Sequence, residues 1–447
     1  MESITLSPLD ERYLEQTKEL RNYFSEMAFF RYRLLIEIQY FISLIDVLPE
    51  LKVLVKEKNI INETLMNYYH FFTIDDYKKI KDYEKVTKHD VKALEYYIVE
   101  IFTNNGLNKY KSFIHFGITS QDVNTSANII SVKEGIYSSI IPALNEIVTI
   151  LDTYSSQMTN NIMLSFTHGQ PAVPTTMGKE LMVYKYRLDE QIENLKNMKY
   201  STKFGGAVGN FNAHVLTYPD IDWNKFSDKL IEDKLLLSRE QVTTQISNYD
   251  NLCNIFNLIK TINNIVNDLN VDCWLYISKG YMVQRINREE TGSSTMPHKV
   301  NPINFENSEG NICIANSLIE GITRKLSVSR LQRDLTDSTI LRNIGVLFGY
   351  TLLSYKSTLN GLKKITINNS LLKKELEENK VVLSEGIQTM MRKYSMGNAY
   401  EKLKELTRTN NNVCDTMLQQ FIDTLPENIR NELKNVSIQN YTGYSGM

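Results

Sequence analysis

The sequence predicts an all-α fold built from long helices, and three observations support this prediction. Glycine and proline number only 19 and 9 among 447 residues, together about half of the average usage of roughly 12%. Apolar residues recur every three or four positions over long segments, which is the spacing of one helix face. Four of the prolines, Pro171, Pro174, Pro297 and Pro302, fall in two short segments. The helix breakers are therefore concentrated, and we expect the functional loops there.

The composition argues against several classes of protein. Lys and Arg total 50 against 52 Asp and Glu, a formal net charge of -2, so no basic excess favours binding to nucleic acid or an anionic membrane. The apolar stretches are broken before the roughly 18 residues that a membrane span needs, and the N-terminal residues lack a signal-peptide pattern. The sequence predicts a cytoplasmic protein with no membrane or nucleic-acid partner.

The residues that bind metals show no typical spacing. Cys253, Cys273, Cys313 and Cys414 form no CxxC pair and lie mostly in apolar surroundings, which favours reduced thiols in the core. No histidine or acidic pattern resembles a zinc or di-iron set, and no GxSxG elbow is present. We therefore expect no metal and no cofactor, and a site that moves protons and binds anions with side chains alone.

The N-terminal part is predicted to consist of packed helices. Apolar residues at helical spacing predict one helix over residues 24–48. A charged amphipathic pattern predicts another over residues 75–100, with Lys88, His89 and Asp90 at its middle. His89 lies off the apolar face of this pattern, so we expect it to be exposed.

The next helix begins with a polar segment, HFGITSQDVN (115–124). Thr119 and Ser120 are expected at the helix N-terminus, where free backbone N–H groups favour an anion. A simple N-cap explains the same residues equally well. A further bundle helix is predicted over residues 141–159 from its apolar spacing.

Two interruptions follow in the central part of the chain. Residues 166–180 break the helical pattern, and a helix is expected to resume near Met177. Residues 203–214 contain Gly205, Gly206 and Gly209, but no strand is expected before them and their spacing fits neither a Rossmann nor a P-loop motif. We interpret the second interruption as a tight loop.

The longest periodic segment covers residues 250–278, and its length is typical of a bundle core. Residues 303–329 are again predicted to be helical. The segment SRLQRDLTDSTILRN (329–343) places Arg333 and Arg342 among apolar residues, which fits a partly buried anion site and a solvated charged face equally well. From about residue 365 the chain is richer in Lys, Glu and Asn. Three domains are predicted, over residues 1–111, 112–364 and 365–447.

The stretch of residues 287–311 is predicted to be a mobile active-site loop as far as about residue 303. It contains Gly292, the adjacent hydroxyls of Ser293 and Ser294, and the polar residues Lys299 and Asn301. A polar surface turn is the alternative, but a solvated linker seldom holds so many groups able to act in catalysis. A helix is expected to begin after Pro302.

Several motifs resemble a known superfamily. The segment GSSTMPHKVNP (292–302) resembles the signature of the fumarase/aspartase superfamily. Within it, the combination of motifs is similar to the adenylosuccinate lyase family, over nearly the whole chain: SPLDERY (7–13), KHDVKALEYY (88–97), HFGITSQDVN (115–124), THGQPAVPTT (167–176), TTQI (243–246) and SRLQRDLTDSTILRN (329–343).

The resemblance implies a three-domain, all-α fumarase/aspartase-like fold, with a central long-helix bundle formed in a homotetramer and active sites shared between subunits. It also implies elimination of fumarate from adenylosuccinate, giving AMP, and from succinyl-aminoimidazole-carboxamide ribotide, giving the carboxamide ribotide. No cofactor takes part in this reaction.

The resemblance further implies the roles of individual residues. Ser293 is expected to be the general base and His168 the general acid. The remaining residues are expected to bind the nucleotide substrate: Arg12, Tyr13, Lys88, His89, Asp90, Thr119, Ser120, Gln245, Ser294, Lys299, Asn301, Asn307, Arg333, Ser338 and Arg342. Two alternatives stay open on the sequence, namely another fumarate-forming lyase, such as argininosuccinate lyase or aspartase, and a structural relative that has lost activity.

Overall fold

A computed structural model of the chain describes residues 5–285, Met296, 299–407 and 415–445, and these residues are predominantly helical, as predicted. The α-helices are α1 (Leu14–Thr17), α2 (Arg21–Phe24), α3 (Glu26–Val47), α4 (Lys58–His70), α5 (Ile74–Thr87), α6 (Asp90–Asn104), α7 (Ser120–Gly135), α8 (Ile141–Gln157), α9 (Met177–Lys196), α10 (Asn212–Thr217), α11 (Trp223–Asp228), α12 (Asp250–Ser278), α13 (Ile303–Leu326), α14 (Thr336–Leu341), α15 (Ile344–Leu362), α16 (Asn369–Glu378), α17 (Ser384–Lys393), α18 (Ala399–Thr407), α19 (Asp415–Asp423) and α20 (Glu427–Leu433).

Short strands form two-stranded sheets within the described residues. They are β1 (Ile162–Thr167) antiparallel to β2 (Gln170–Thr176), β3 (Ser201–Lys203) parallel to β4 (Ser238–Glu240), and β5 (Met282–Gln284) antiparallel to β6 (Ile365–Ile367). The expectation that no strand precedes Gly205 is wrong, because β3 ends two residues before it. Three strand residues are too few to show a period in the sequence.

Most helix predictions are confirmed. Helix α12 has the predicted bounds, α3 and α13 agree with theirs to within three residues, and α9 begins at Met177 as expected. The single helix predicted over residues 75–100 is instead two helices. Lys88 ends α5 with a left-handed φ of 55°, and His89 caps α6, so the chain turns where no Gly or Pro indicates a break.

The chain divides into two compact units. The first comprises Met1–Leu144, Gln191–Asn264 and Ser308–Lys356, and the second comprises Asn145–Glu190, Ile265–Asn307 and Ser357–Met447. The three-domain division remains a prediction. None of the described helices combines the length and hydropathy that a membrane crossing requires.

The first unit is organised around α3, which is buried along most of its length. The Ser25 side chain accepts a hydrogen bond from the Ala28 N–H and so caps the start of the helix. Polar residues are also buried in this unit, and several of them are paired with one another. The amide of Asn263 on α12 donates to Asn316 on α13 and accepts from the Tyr355 hydroxyl on α15. These contacts fix the relative register of three helices, since an unpaired buried amide is costly.

The second unit contains the β1–β2 hairpin and the short C-terminal helices. Helix α16 packs against β1, and α17 to α20 enclose a small apolar cluster that includes Ile387, Met391, Leu403 and Ile429. The end of α8 lies close to the start of α9, where Gly178 N–H donates to the Met158 carbonyl oxygen over 3.1 Å. The β1–β2 hairpin, which connects these two helices in the sequence, therefore starts and ends at this contact.

We expect Gly178→Ala to destabilise the protein by about 1–3 kcal/mol, because the added methyl group overpacks this approach. A Cβ at residue 178 would overlap the Ser155 carbonyl oxygen and lie 2.9 Å from the Met158 carbonyl carbon. Chemical denaturation measures the change in the free energy of unfolding. Gln157→Ala, at an exposed position on α8, is the control and should change it by less than about 0.5 kcal/mol. Equal stability of both variants would contradict the assigned packing.

Candidate active site

The start of α7 is a capped helix terminus, as predicted. Thr119 precedes the helix and Ser120 is its first residue. The Thr119 N–H donates to Asp122 Oδ2 over 2.8 Å, and the Asp122 N–H donates back to the Thr119 carbonyl oxygen over 2.9 Å. Thr119 and Ser120 are half-buried whereas Asp122 is fully buried. The buried Asp122 therefore caps the helix start, and the half-buried Ser120 stays accessible to a ligand.

The glycine loop after β3 folds over the same carboxylate. Asp122 Oδ1 accepts hydrogen bonds from Gly205 N–H at 2.8 Å and lies 2.7 Å from Lys203 Nζ. The Lys203 ammonium also donates to the Gly206 carbonyl oxygen over 2.6 Å. Burial lowers the pKa of Lys203, and the attraction of Asp122 only partly offsets this. The predicted tight loop is confirmed, and its centre is a buried ion pair that the sequence analysis missed.

Glycine is required at position 209 of this loop. Its φ is +83°, and a Cβ there would overlap the carbonyl oxygen of Thr243. The loop thus lies directly against the segment that carries Gln245. Only a residue without a side chain fits both the left-handed backbone and this close approach.

Gln245, Arg333 and Ser338 are brought to the same region of the first unit. The Gln245 amide donates to the Ala207 carbonyl oxygen over 2.9 Å, and Arg333 donates to Gln245 Oε1 over 3.0 Å. Gln121, on the first turn of α7, donates to the Ser338 hydroxyl over 3.3 Å. Residues far apart in sequence therefore surround the start of α7. The arrangement combines a guanidinium, hydroxyls and a helix N-terminus, which are groups that bind anions.

The Lys88-His89-Asp90 segment joins α5 to α6. The exposed His89 accepts a hydrogen bond at Nδ1 from Lys92 N–H over 3.1 Å, so its other ring nitrogen points away from this cap. Asp90 Oδ2 lies 2.6 Å from a nitrogen of the buried Arg33 guanidinium. Burial opposes the charged form of Asp90, but Arg33 lowers its pKa below the usual value. Lys88 is exposed.

A stripe of buried polar residues on α3, which we call the α3 stripe, holds these segments. It consists of Arg33, Glu37 and Tyr40, spaced four and three residues apart on a mostly apolar helix. Glu37 Oε1 lies 2.5 Å from His115 Nδ1, and the Tyr40 hydroxyl donates to the Phe116 carbonyl oxygen over 2.5 Å. The sequence analysis missed the stripe. Its signal was present, because three polar residues lie on one face of an apolar helix.

Two histidines near the start of α7 have opposite electrostatic environments. Burial disfavours the charged form of His115, but Glu37 outweighs it and raises the pKa of His115 above its usual value. His214 is fully buried, and burial lowers its pKa to about 4. The Tyr40 hydroxyl lies 2.9 Å from His214 Nε2. The carboxylate of Glu37 therefore favours the protonated form of His115, whereas burial keeps His214 neutral.

Other predicted residues of the first unit are less closely connected. Arg12 is exposed, with its guanidinium carbon 5.8 Å from the centre of the Tyr13 ring. Arg342 follows α14 and is exposed; within the described part of the chain its side chain makes no hydrogen bond or ion pair. Hydrogen bonds thus connect Gln245, Arg333 and Ser338 to the glycine loop and the first turn of α7, which Thr119 and Ser120 begin, whereas no such bond within the described residues connects Arg12 or Arg342 to this cluster.

The second unit carries the predicted catalytic residues. His168 and Gly169 form the two-residue turn of the β1–β2 hairpin, with φ values of 52° and 72°, and His168 is exposed. Two positive φ values are the signature of a type I′ turn. Ser293 and Ser294 lie outside the described residues. The predicted acid is therefore presented at the tip of a short hairpin.

The other predicted residues of the second unit follow the loop segment. Lys299 is exposed and its N–H donates to the Met296 carbonyl oxygen over 3.0 Å. Asn301 is half-buried. Asn307, on the first turns of α13, donates to the Ser357 hydroxyl on α15 over 3.0 Å.

The thiols and acidic residues form no metal site in the described residues. Cys253 and Cys273 are free and buried, as expected for core thiols, but Cys313 is exposed, so that expectation is wrong for it. Its position on α13 falls on the helix face away from the apolar spacing. Cys414 lies outside the described residues.

A cavity of about 440 Å³ opens elsewhere in the first unit, at the C-terminal end of α3. Its walls combine apolar residues such as Val47 and Phe226 with charged residues such as Asp46 and Lys229. None of the described residues predicted to bind substrate lines it. We therefore assign the site to the residues around α7 rather than to this cavity.

We expect His115→Gln to destabilise the protein by on the order of 3 kcal/mol, because it leaves Glu37 as an unpaired buried carboxylate. Protonated His115 adds to the free energy of unfolding of wild type. This stabilisation is fully present below the pKa of histidine in the unfolded chain, about 6.5, and is lost as pH rises through the raised pKa in the folded protein. The stability difference from wild type should therefore be largest near pH 6 and shrink at alkaline pH.

Chemical denaturation at several pH values measures this difference. His70→Gln is the control, since His70 is exposed at the end of α4. A difference for His115→Gln that stays constant across the whole pH range would contradict the assigned ion pair.

Profiles of two protein families match the chain. The Lyase family matches residues 11–315, and the Adenylosuccinate lyase C-terminal family matches residues 329–442. The two matches follow each other and extend over most of the chain. They contain all of the described residues that the sequence analysis assigned to the site.

Curated relatives are similar over nearly their whole length. An adenylosuccinate lyase of Dictyostelium discoideum is 46% identical over 450 residues, covering 98% of this chain and 96% of the relative. An adenylosuccinate lyase of Legionella pneumophila (strain Corby) is 45% identical with the same coverage. One from Escherichia coli (strain K12) is 39% identical, again covering 98% of this chain and 96% of the relative.

Solved structures are similar in fold at low sequence identity. A fumarate lyase from Mesorhizobium sp. BNC1 has a TM-score of 0.75 at 14% identity, covering 96% of each chain. A 3-carboxy-cis,cis-muconate lactonizing enzyme from Pseudomonas putida has a TM-score of 0.74 at 16% identity, covering 98% of this chain and 97% of that one. The predicted all-α, fumarase/aspartase-like fold is confirmed.

Proposed function

The chain belongs to the adenylosuccinate lyase family, and from this we propose that it eliminates fumarate from adenylosuccinate, releasing AMP. The same site would cleave succinyl-aminoimidazole-carboxamide ribotide to fumarate and the carboxamide ribotide. The observation that carries the proposal is the convergence of Thr119, Ser120, Gln245, Arg333 and Ser338 around the start of α7. This cluster suits a substrate that carries both phosphate and carboxylate groups.

The proposed reaction breaks one C–N bond by general base and general acid catalysis. Ser293, as an alkoxide, removes a proton from the carbon next to a carboxylate of the succinyl group. The electron pair left on that carbon becomes the new C=C bond of fumarate as the C–N bond breaks. His168, as imidazolium, donates a proton to the departing nitrogen, so charge does not accumulate on the leaving group.

Charge stabilisation is assigned to the segment after the loop. The carbanion is delocalised into the adjacent carboxylate, where Lys299 and Asn301 would bind the developing negative charge. A serine hydroxyl is a weak base, so its alkoxide requires nearby N–H donors and positive charge. We assign both of these, and the exclusion of water, to residues 287–301, most of which lie outside the described residues.

The remaining residues are assigned to substrate binding. Those proposed to surround the phosphate and purine are Arg12, Tyr13, Lys88, His89, Asp90, Arg333, Ser338 and Arg342. Those proposed to hold the succinyl group and base are Thr119, Ser120, Gln245, Ser294 and Asn307. The left-handed turn at Lys88 and the His89 cap support this assignment, since they expose both side chains at one helix start.

We also propose a cytoplasmic homotetramer in which each active site takes residues from three subunits. Long helices of the second unit support this, because they leave large apolar side chains exposed. Val183 and Tyr186 on α9 are 40% and 67% exposed, and Trp274 and Leu275 on α12 are 40% and 45% exposed. Apolar faces on long helices are typically covered by partner helices in a bundle.

We expect purified protein to release fumarate from adenylosuccinate, and Ser293→Ala and His168→Ala to reduce kcat by about 10²–10⁴-fold. Each variant removes one proton-transfer group without a change in the helical core. The change in ultraviolet absorbance on mixing with substrate measures turnover. His70→Ala is the matched control and should retain full activity. A well-folded wild type without turnover on adenylosuccinate would refute the proposed substrate.

We expect Arg333→Lys to raise KM for adenylosuccinate by roughly tenfold, although it keeps the charge, because an ammonium cannot make the paired hydrogen bonds of a guanidinium. Arg333 also orients Gln245. Arg330→Lys is the matched control, since Arg330 is exposed and pairs with Asp334 at the surface. Steady-state kinetics measure both variants. The same KM in both would count against a role for Arg333 in binding.

A further inference from the structure

We propose that the buried Lys203–Asp122 ion pair positions Gln245 and Arg333 to bind the anionic substrate. This inference rests on the proposed function, and it assigns a role to two residues that received none in the sequence analysis. Both side chains are fully buried, with 0% of their surface exposed. Lysine is almost never fully buried, and removing two charges from water is costly, so the pair requires an explanation beyond packing.

The pair ties two segments of the chain together. Asp122 accepts hydrogen bonds from Thr119 N–H at the start of α7 and from the N–H groups of Gly205 and Gly206 in the glycine loop. Lys203 lies 2.7 Å from Asp122 Oδ1 and donates to the Gly206 carbonyl oxygen over 2.6 Å. Both carboxylate oxygens of Asp122 and the ammonium of Lys203 therefore bind backbone groups. These contacts fix the orientation of the glycine loop and of the α7 start.

The loop in turn holds the residues proposed to bind substrate. With the N–H groups of Gly205 and Gly206 bound to Asp122, the next carbonyl, that of Ala207, points to the Gln245 amide at 2.9 Å. This contact sets which end of the amide faces outward. Gln245 Oε1 is thereby the acceptor for Arg333, at 3.0 Å. A continuous series of hydrogen bonds thus links the buried pair to a guanidinium.

A purely structural role for the pair predicts a different behaviour. A pair that only stabilises the fold would change the melting temperature and leave KM unchanged in the folded protein. A buried ion pair is seldom more stabilising than apolar residues of the same size. A positioning role predicts instead that loss of the pair weakens substrate binding even where stability is retained.

The test removes both charges together, because either single variant leaves an unpaired buried charge and is expected to fold poorly. Lys203→Met with Asp122→Asn keeps the volumes of both side chains and a carbonyl acceptor near the glycine loop. We expect the folded double variant to raise KM for adenylosuccinate at least tenfold, with kcat within threefold of wild type. When the double variant is combined with Gln245→Ala, the increase in KM should be smaller than the product of the two separate increases. Both changes act through the hydrogen bond between Gln245 and the Ala207 carbonyl oxygen.

A second ion pair, formed by a buried arginine of the same small sheet, provides the control. Arg239 on β4 lies 2.6 Å from the partly exposed Asp228 and is also held by Gln241, and within the part of the chain that the structure describes it makes no hydrogen bond to the glycine loop. Arg239→Met with Asp228→Asn should lower the melting temperature and leave KM unchanged. An unchanged KM in the folded Lys203→Met/Asp122→Asn variant, or full multiplicativity with Gln245→Ala, would overturn the inference.

Binding of AMP separates this inference from the proposed function. If wild type does not cleave adenylosuccinate, the proposed function fails, and the shift of melting temperature by added AMP replaces KM as the readout. A shift in wild type and in the Arg239 control, but not in the Lys203→Met/Asp122→Asn variant, would still support positioning. Equal shifts in all three proteins, or no shift in wild type, would overturn it.

Discussion

The carboxylate of Asp122 is the interaction on which the first unit depends. This buried carboxylate accepts hydrogen bonds from backbone N–H groups of the α7 start and of the glycine loop, and it pairs with the ammonium of Lys203. A carboxylate has about four acceptor positions, and here they are occupied by groups from separate parts of the sequence. Because an unmet buried charge is costly, these parts can fold only when they arrive together. Fold and site are thus specified by the same contact.

The buried polar residues of the α3 stripe also hold separate segments of the chain. Arg33, Glu37 and Tyr40 are buried on this helix. Arg33 engages Asp90 at the start of α6, whereas Glu37 and Tyr40 engage the segment before α7. Helical spacing sets their separation, since residues four and three positions apart lie on one face. A rigid helix therefore acts as the common support for segments that would otherwise be free loops. The raised pKa of His115 also follows from this support, because the helix places the Glu37 carboxylate 2.5 Å from its imidazole.

The sequence predicted what periodicity and helix breakers encode. The bounds of α12 were predictable because an unbroken apolar period ends just before Gly280, and the start of α13 because Pro302 precedes it. The break at Lys88 was not, since its left-handed turn carries no Gly or Pro. The Lys203–Asp122 pair was also missed, because residues 81 positions apart show no pattern until the chain folds. The family motifs suggested which residues bind a ligand, but they assigned no role to Lys203 or Asp122, which lie behind those residues.

The β1–β2 hairpin has a consequence for how relatives are compared. Its two-residue turn needs positive φ at both positions, and Asn-Gly is the sequence that satisfies this need most easily. Residue 168 is instead a histidine, which is also enriched among residues with positive φ. The turn geometry therefore accepts both residues, and the choice of an imidazole is left to the chemistry. With His168 as the proposed general acid, a descendant without activity could carry Asn-Gly here at no cost to the fold, so this one position would distinguish active members of a lineage from those kept only for their shape.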